Sequence, residues 1–129
     1  MKNKIAQVKE MNNKKFDLEE RLIDFAAEVV LFVENLPDKK SASHLGGQLL
    51  RSGTSPSLNY GEAKSAESKK DFIHKMKICL KELRESSNCL KILQKVKIYK
   101  SQRQINDLII ECNELIAIFV KSINTASKK

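Results

Sequence analysis

Cys79, Cys89 and Cys112 have the widest chemical repertoire in this chain, since a thiolate is both a nucleophile and a soft metal ligand. Their number is odd, no CxxC or CxxH spacing occurs, and all three fall inside helical patterns, so reduced, packed thiols are expected. Neither His44 nor His74 belongs to a triad-like or metal-like local constellation, and both are expected to be solvated. The chain has no Gly-rich phosphate loop, GxSxG, HExxH or ExxH pair. Asn59 and Glu62, three apart, are expected to brace a helix, because one carboxylate without a tuned partner is a weak acid–base device. The expectation is a non-enzyme with no cofactor and no metal.

Basic residues carry the stronger signal. Lys70, Lys77, Lys81, Arg84, Lys91 and Lys95 fall within a sector of roughly 80° when each residue is turned 100° from the last. Residues 67–99 hold nine basic and four acidic side chains, a net +5, whereas residues 17–36 hold six acidic and one basic, a net −5. Charge is thus segregated by segment within a chain of net charge +8. A solvated helix face accounts for such a row, as does a ridge that binds phosphates by releasing counterions. Aromatic residues, which single-strand readers use for stacking, are almost absent from the segment, so contact through the backbone and shape is the expected mode. A third role for the row is contact with the acidic segment of a second copy.

The elements that position these residues follow from periodicity. The chain of 129 residues has room for one domain, with 41% hydrophobic residues and only 4 Gly and 2 Pro. So little punctuation excludes a strand-rich fold, and the apolar content argues against disorder. No apolar run reaches the roughly 18 residues of a membrane span, and no signal-peptide pattern opens the chain, so a cytoplasmic, non-membrane protein is expected. Residues 1–16, with five Lys and one Glu, are expected to be a basic leader, 17–126 a helical bundle and 127–129 a tail. Helices are expected near 17–36, 42–66, 68–96 and 101–124, with capping boxes opening at Asp17, Ser68 and Ser101. The second should start near Ser41 or Ser43 and kink through Ser52–Gly53–Thr54–Ser55–Pro56–Ser57, where small residues admit another backbone. An all-α, antiparallel up-down four-helix bundle results.

Apolar residues also occur off the core stripes. Ile23 and Val30 are a heptad apart on the first helix, Ile78, Ile92 and Val96 lie on the third, and Ile110 lies on the fourth. Burial between subunits is expected of them, so a second copy is an expected partner.

The stretch LLRSGTSPSLNYGEAKSAESKKDFIHKMKICLKELRES, with Arg51, Pro56, Asn59, Glu62, Phe72 and Glu85, resembles the bacterial ribosomal-RNA intervening-sequence proteins. The FDLEERLIDFA opening of the first helix is similar to the same family. Tyr60–Gly61 stands where family members carry small apolar pairs, and Ala63 replaces the usual Gly after the glutamate. The resemblance implies an antiparallel four-helix bundle, assembly as a barrel-shaped homopentamer, and no established catalytic activity. It further implies likeness in fold to the accessory variability determinant of diversity-generating retroelements, which binds a reverse transcriptase and nucleic acid. The leading expectation is therefore a homo-oligomer that binds structured RNA or DNA through the basic row. The alternative is a protein-interaction scaffold or accessory subunit, for instance of a reverse transcriptase-like enzyme.

Overall fold

A computed structural model describes residues 17–128. Four helices make up its regular structure: α1 (Leu18–Glu34), α2 (Lys40–Lys64), α3 (Lys69–Lys95) and α4 (Gln102–Ser127). Among the described residues there is no strand. The basic leader expected at 1–16 lies outside them.

Three helices begin as the capping residues dictate. The side chains of Asp17, Ser68 and Ser101 accept from the backbone N–H of Glu20, Asp71 and Gln104 at 3.0, 3.0 and 3.1 Å. Each satisfies one of the four N–H groups that a helix start leaves without a partner. α2 departs from expectation. It begins at Lys40, its N-cap is Lys39 with no side-chain cap, and the Ser43 N–H already closes onto the Lys39 carbonyl at 2.8 Å. The turn through Pro37 sets the entry, so neither Ser41 nor Ser43 is needed as a cap. α1 ends at Glu34 and α4 reaches Ser127, so the helical repeat runs into the expected tail.

α3 stops without a glycine. Lys97 takes φ 58°, the Ile98 N–H reaches the Leu93 carbonyl at 3.0 Å, and the Lys97 N–H reaches Gln94 at 3.2 Å. That is a Schellman closure with a lysine in the left-handed position, a strain of roughly 1–2 kcal/mol. Ile98, packed against the core, offsets it.

Each helix packs on its chain neighbours, and α1 closes the ring on α4 through the thinnest seam. Diagonal pairs do not bring their backbones together, and α2 reaches α4 through side chains, the Tyr60 ring meeting that of Phe119 edge-on at 6.0 Å between centroids. The core is Leu22, Phe25, Val29 and Phe32 from α1, Met76, Leu83, Leu90 and Leu93 from α3, and Ile105, Leu108, Leu115 and Phe119 from α4. α2 contributes differently. Its buried residues are Ala42, Gly46, Leu49, Ser52, Gly53, Pro56 and Ala63, nearly all small. A Cβ on Gly53 would lie 2.9 Å from both methyls of Val29, so α1 and α2 approach as closely there as a glycine permits.

That contact explains why α2 does not break at its serine-rich middle. Ser, Thr and Gly cost helix stability through competing backbone contacts and entropy. Here Thr54 Oγ1 donates to the Leu50 carbonyl at 2.7 Å, and Ser57 Oγ donates to that of Thr54 at 2.9 Å. Ser52 Oγ meets Ser86 Oγ of α3 at 2.8 Å, both buried. Pro56 lacks the N–H that would bond Ser52, yet it lies buried within the continuous helix. Burial on two flanks outweighs the local preference.

Candidate nucleic-acid interface

Helical phase places Lys70, Lys77, Lys81, Arg84, Lys91 and Lys95 on the outer flank of α3 that leans toward α4. All six are exposed, and none enters an ion pair among the described residues. Over about 37 Å of helix rise the row meets no carboxylate on its own sector. Asp71, Glu82 and Glu85 lie outside it, and the last two turn toward α2.

The remaining seams consume their charges. Arg21 donates through Nε to Glu111 Oε2 at 3.1 Å and through Nη2 to Glu111 Oε1 at 2.7 Å and Glu114 Oε1 at 3.0 Å, holding α1 on α4. These hydrogen bonds raise the Arg21 pKa further, above its already high value. Lys64 Nζ donates to Glu19 at 3.1 Å across α1–α2. Lys75 Nζ donates to Glu62 at 2.7 Å across α2–α3. Arg51 Nη1 donates to Glu82 at 2.9 Å, and its Nη2 donates to Glu85. Field segregation is the result: acids of α4 face α1, and the unpaired cations of α3 face outward.

The motif residues divide into seam contacts and one groove wall. Arg51 and Glu85, 34 positions apart, meet across α2–α3. Glu62 serves Lys75, and Asn59 Nδ2 donates to Ser55 Oγ at 3.4 Å, so the two residues brace α2 through separate partners. Pro56 is buried and its carbonyl accepts from Cys79 Sγ at 3.6 Å. Phe72, half-buried, lines an open groove of about 360 Å³ with Ile118, Lys121, Ser122, Thr125 and Ala126. The role of Ser52 and Ser86 was hidden in the sequence, because nothing local marks two serines 34 apart as a buried pair.

The thiols are packed. Cys79, Cys89 and Cys112 are buried and free, and Cys112 Sγ donates to the Leu83 carbonyl at 3.2 Å. Burial pushes Cys79 and Cys112 up to about 12 and raises Cys89, which keeps the thiolate scarce at neutral pH. His44 and His74 are exposed. Among the described residues no group of three or more His, Cys, Asp and Glu is placed to hold a metal ion. Among them no helix is long and apolar enough to cross a membrane.

The apolar residues outside the core stripes separate into two sides. Ile23 is 49% exposed, and Val30 and Leu31 share its outer face of α1. Ile92, Val96 and Ile110 are likewise exposed on α3 and α4. Ile78 is half-buried within the protomer, so it is less available for burial between subunits than expected. Leu58, on α2, is 72% exposed.

Comparison with known proteins matches this arrangement. Among curated proteins none matches the chain. A solved protein of unknown function from the S23 ribosomal protein family of Bacteroides thetaiotaomicron VPI-5482 superposes with a TM-score of 0.74 at 30% identity. The alignment covers 81% of this chain and 96% of that one. The family model of the 23S rRNA-intervening sequence protein matches residues 14–121, which takes in all of α1, α2 and α3 and most of α4. The four-helix bundle, its paired α2–α3 motif and these matches agree: the chain belongs to the 23S rRNA-intervening sequence protein family.

Proposed function

We propose that the protein binds structured nucleic acid without sequence readout, through the outer flank of α3. The observation that supports this reading is the row of six exposed cations with no acidic partner among the described residues, while the cations at the seams are paired. Long side chains around a ridge reach phosphates spaced along a rigid backbone, and released counterions supply the driving force. Binding is then steeply salt-dependent, with a log–log slope near −5 if about six phosphates are neutralised. The triple variant Lys77→Glu, Lys81→Glu, Arg84→Glu is expected to abolish binding to a structured RNA in a fluorescence-anisotropy titration while its melting stays nearly unchanged. Wild-type binding by that variant, or no salt-dependent binding by the native protein, overturns the reading.

The exposed apolar residues support homo-oligomer assembly beside this activity. α1 and α3 are diagonal in the bundle, so Ile23 and Val30 lie on one side and Ile92 and Val96 on the opposite one. Two different patches on opposite sides form a head-to-tail contact, which closes into a ring when the rotation allows. Five copies is the number that family resemblance implies. Sedimentation well above 14.7 kDa is expected for the native chain. The double variant Ile23→Asp, Ile92→Asp is expected to sediment as a monomer, since a buried unpaired carboxylate is costly. A native monomer at high micromolar concentration overturns the assembly.

A further inference from the structure

The surface beside the cation row carries amides where acids would be expected. On α4 the flank toward α3 presents Asn106, Asn113, Ala117 and Asn124, recurring at steps of seven, four and seven residues. Asp107, Glu111 and Glu114 turn to the opposite edge, where Arg21 holds the two glutamates. Asn88 lies within the cation sector of α3 itself. The register is set by two contacts: Cys112 Sγ to the Leu83 carbonyl at 3.2 Å and Gln94 Nε2 to Asn106 Oδ1 at 2.8 Å. Asn113 therefore stands level with Arg84, and Asn124 level with the Lys70 end of the row. Asn88, Asn113 and Asn124 are exposed, and their side-chain amides have no hydrogen-bond partner among the described residues. Aromatic side chains are missing from the middle of this face: half-buried Tyr60 stacks edge-on against Phe119 of the core, Phe72 belongs to the groove, and Tyr99, in the α3–α4 connection, packs against the core.

Resting on the nucleic-acid reading above, we infer that the α3–α4 face recognises double-stranded RNA across its minor groove. An A-form duplex offers a wide, shallow minor groove lined with 2′-hydroxyls, each a donor and an acceptor, between two phosphate rims. A side-chain amide also donates and accepts, so the Asn row suits the hydroxyls while the α3 cations suit one rim. Two packed helices, with axes about 8–10 Å apart, are too broad for the minor groove of B-DNA, about 6 Å wide. Single strands are disfavoured because the face offers no stacking platform.

The test is binding of one 20-base-pair sequence, as RNA duplex, DNA duplex and single-stranded RNA, at fixed salt. The native protein should bind the RNA duplex about tenfold more tightly than either competitor, the worth of one or two hydrogen bonds. The double variant Asn88→Ala, Asn113→Ala, confirmed folded by circular dichroism, should bind both duplexes within about twofold of each other and keep native affinity for DNA. Equal native affinity for the duplexes, tighter binding of the single strand, or a preference that survives in the double variant overturns the minor-groove inference and leaves the phosphate contact standing. Absence of salt-dependent binding to all three overturns both.

Discussion

α2 and α3 lie side by side, with 25 and 27 residues, and solve the same packing problem in opposite ways. α3 buries large apolar side chains and turns its charges outward, so its sequence carries a plain 3.6-residue rhythm. α2 buries Ala, Gly, Ser and Pro, and brings its neighbours' side chains against its backbone instead. One helix is stabilised by what it inserts into the core, the other by what it allows in. The lesson is that small residues inside a helix mark close approach as readily as they mark a break, and only the partner tells which.

Three changes break or sharpen that contrast. At neutral pH the largest effect is expected from Gly53→Ala. Its methyl would meet Val29 at 2.9 Å, so α1 must shift away from α2, and urea denaturation should show a loss of about 1–3 kcal/mol. An unchanged midpoint would mean that the α1–α2 approach is loose.

Alkaline titration probes the large-residue side next. Cys79 and Cys112 have folded pKa values raised to about 12 from an ordinary 9.0, so the folded state holds protons that the unfolded chain releases. Their contribution is fully present below pH 9 and is lost as pH climbs from there toward about 12. The expected fall is on the order of 1 kcal/mol per pH unit for each thiol, checked by denaturation at pH 8 and above. In the native state both thiols should resist a thiol reagent at neutral pH. A flat stability profile would show that these groups are solvated.

The smallest effect separates the two faces of α2. Gly47 and Gly61 have nothing within 4 Å of an added Cβ, unlike Gly53. Gly47→Ala and Gly61→Ala should each raise stability by about 0.5–1 kcal/mol in thermal melts, through lower unfolded-state entropy and better helix propensity. A loss instead of a gain in the assembled protein would show that another backbone lies against this outer face, extending close approach to both sides of α2.

How much of this was legible in the residues differs along the chain. The stripes of α1, α3 and α4 and the caps Asp17, Ser68 and Ser101 could be read directly, because each depends on spacing within one helix. So could the cation row, since exposed charge on one sector needs no partner to be recognised. The start of α2 could not, because Lys39 is set by the turn through Pro37 instead of by a capping side chain. Asn59 and Glu62 were read as braces: the Asn59 partner, Ser55, lies one turn back on α2 itself, whereas the Glu62 partner, Lys75, became visible only once α2 and α3 were side by side.

By itself the sequence determined the all-α class, the four segments and the segregation of acid from base, all of which follow from local periodicity and charge. Tertiary structure alone decided that Ser52 meets Ser86 and that Arg51 joins Glu82 and Glu85, contacts that hold the expected helix through Ser52–Ser57. It also decided that Ile78 is partly covered while Ile23 and Ile92 stand free. The physical reason is range. Helix propensity and amphipathicity act within a few residues, whereas the burial that rescues a glycine- and proline-containing helix comes from side chains tens of positions away.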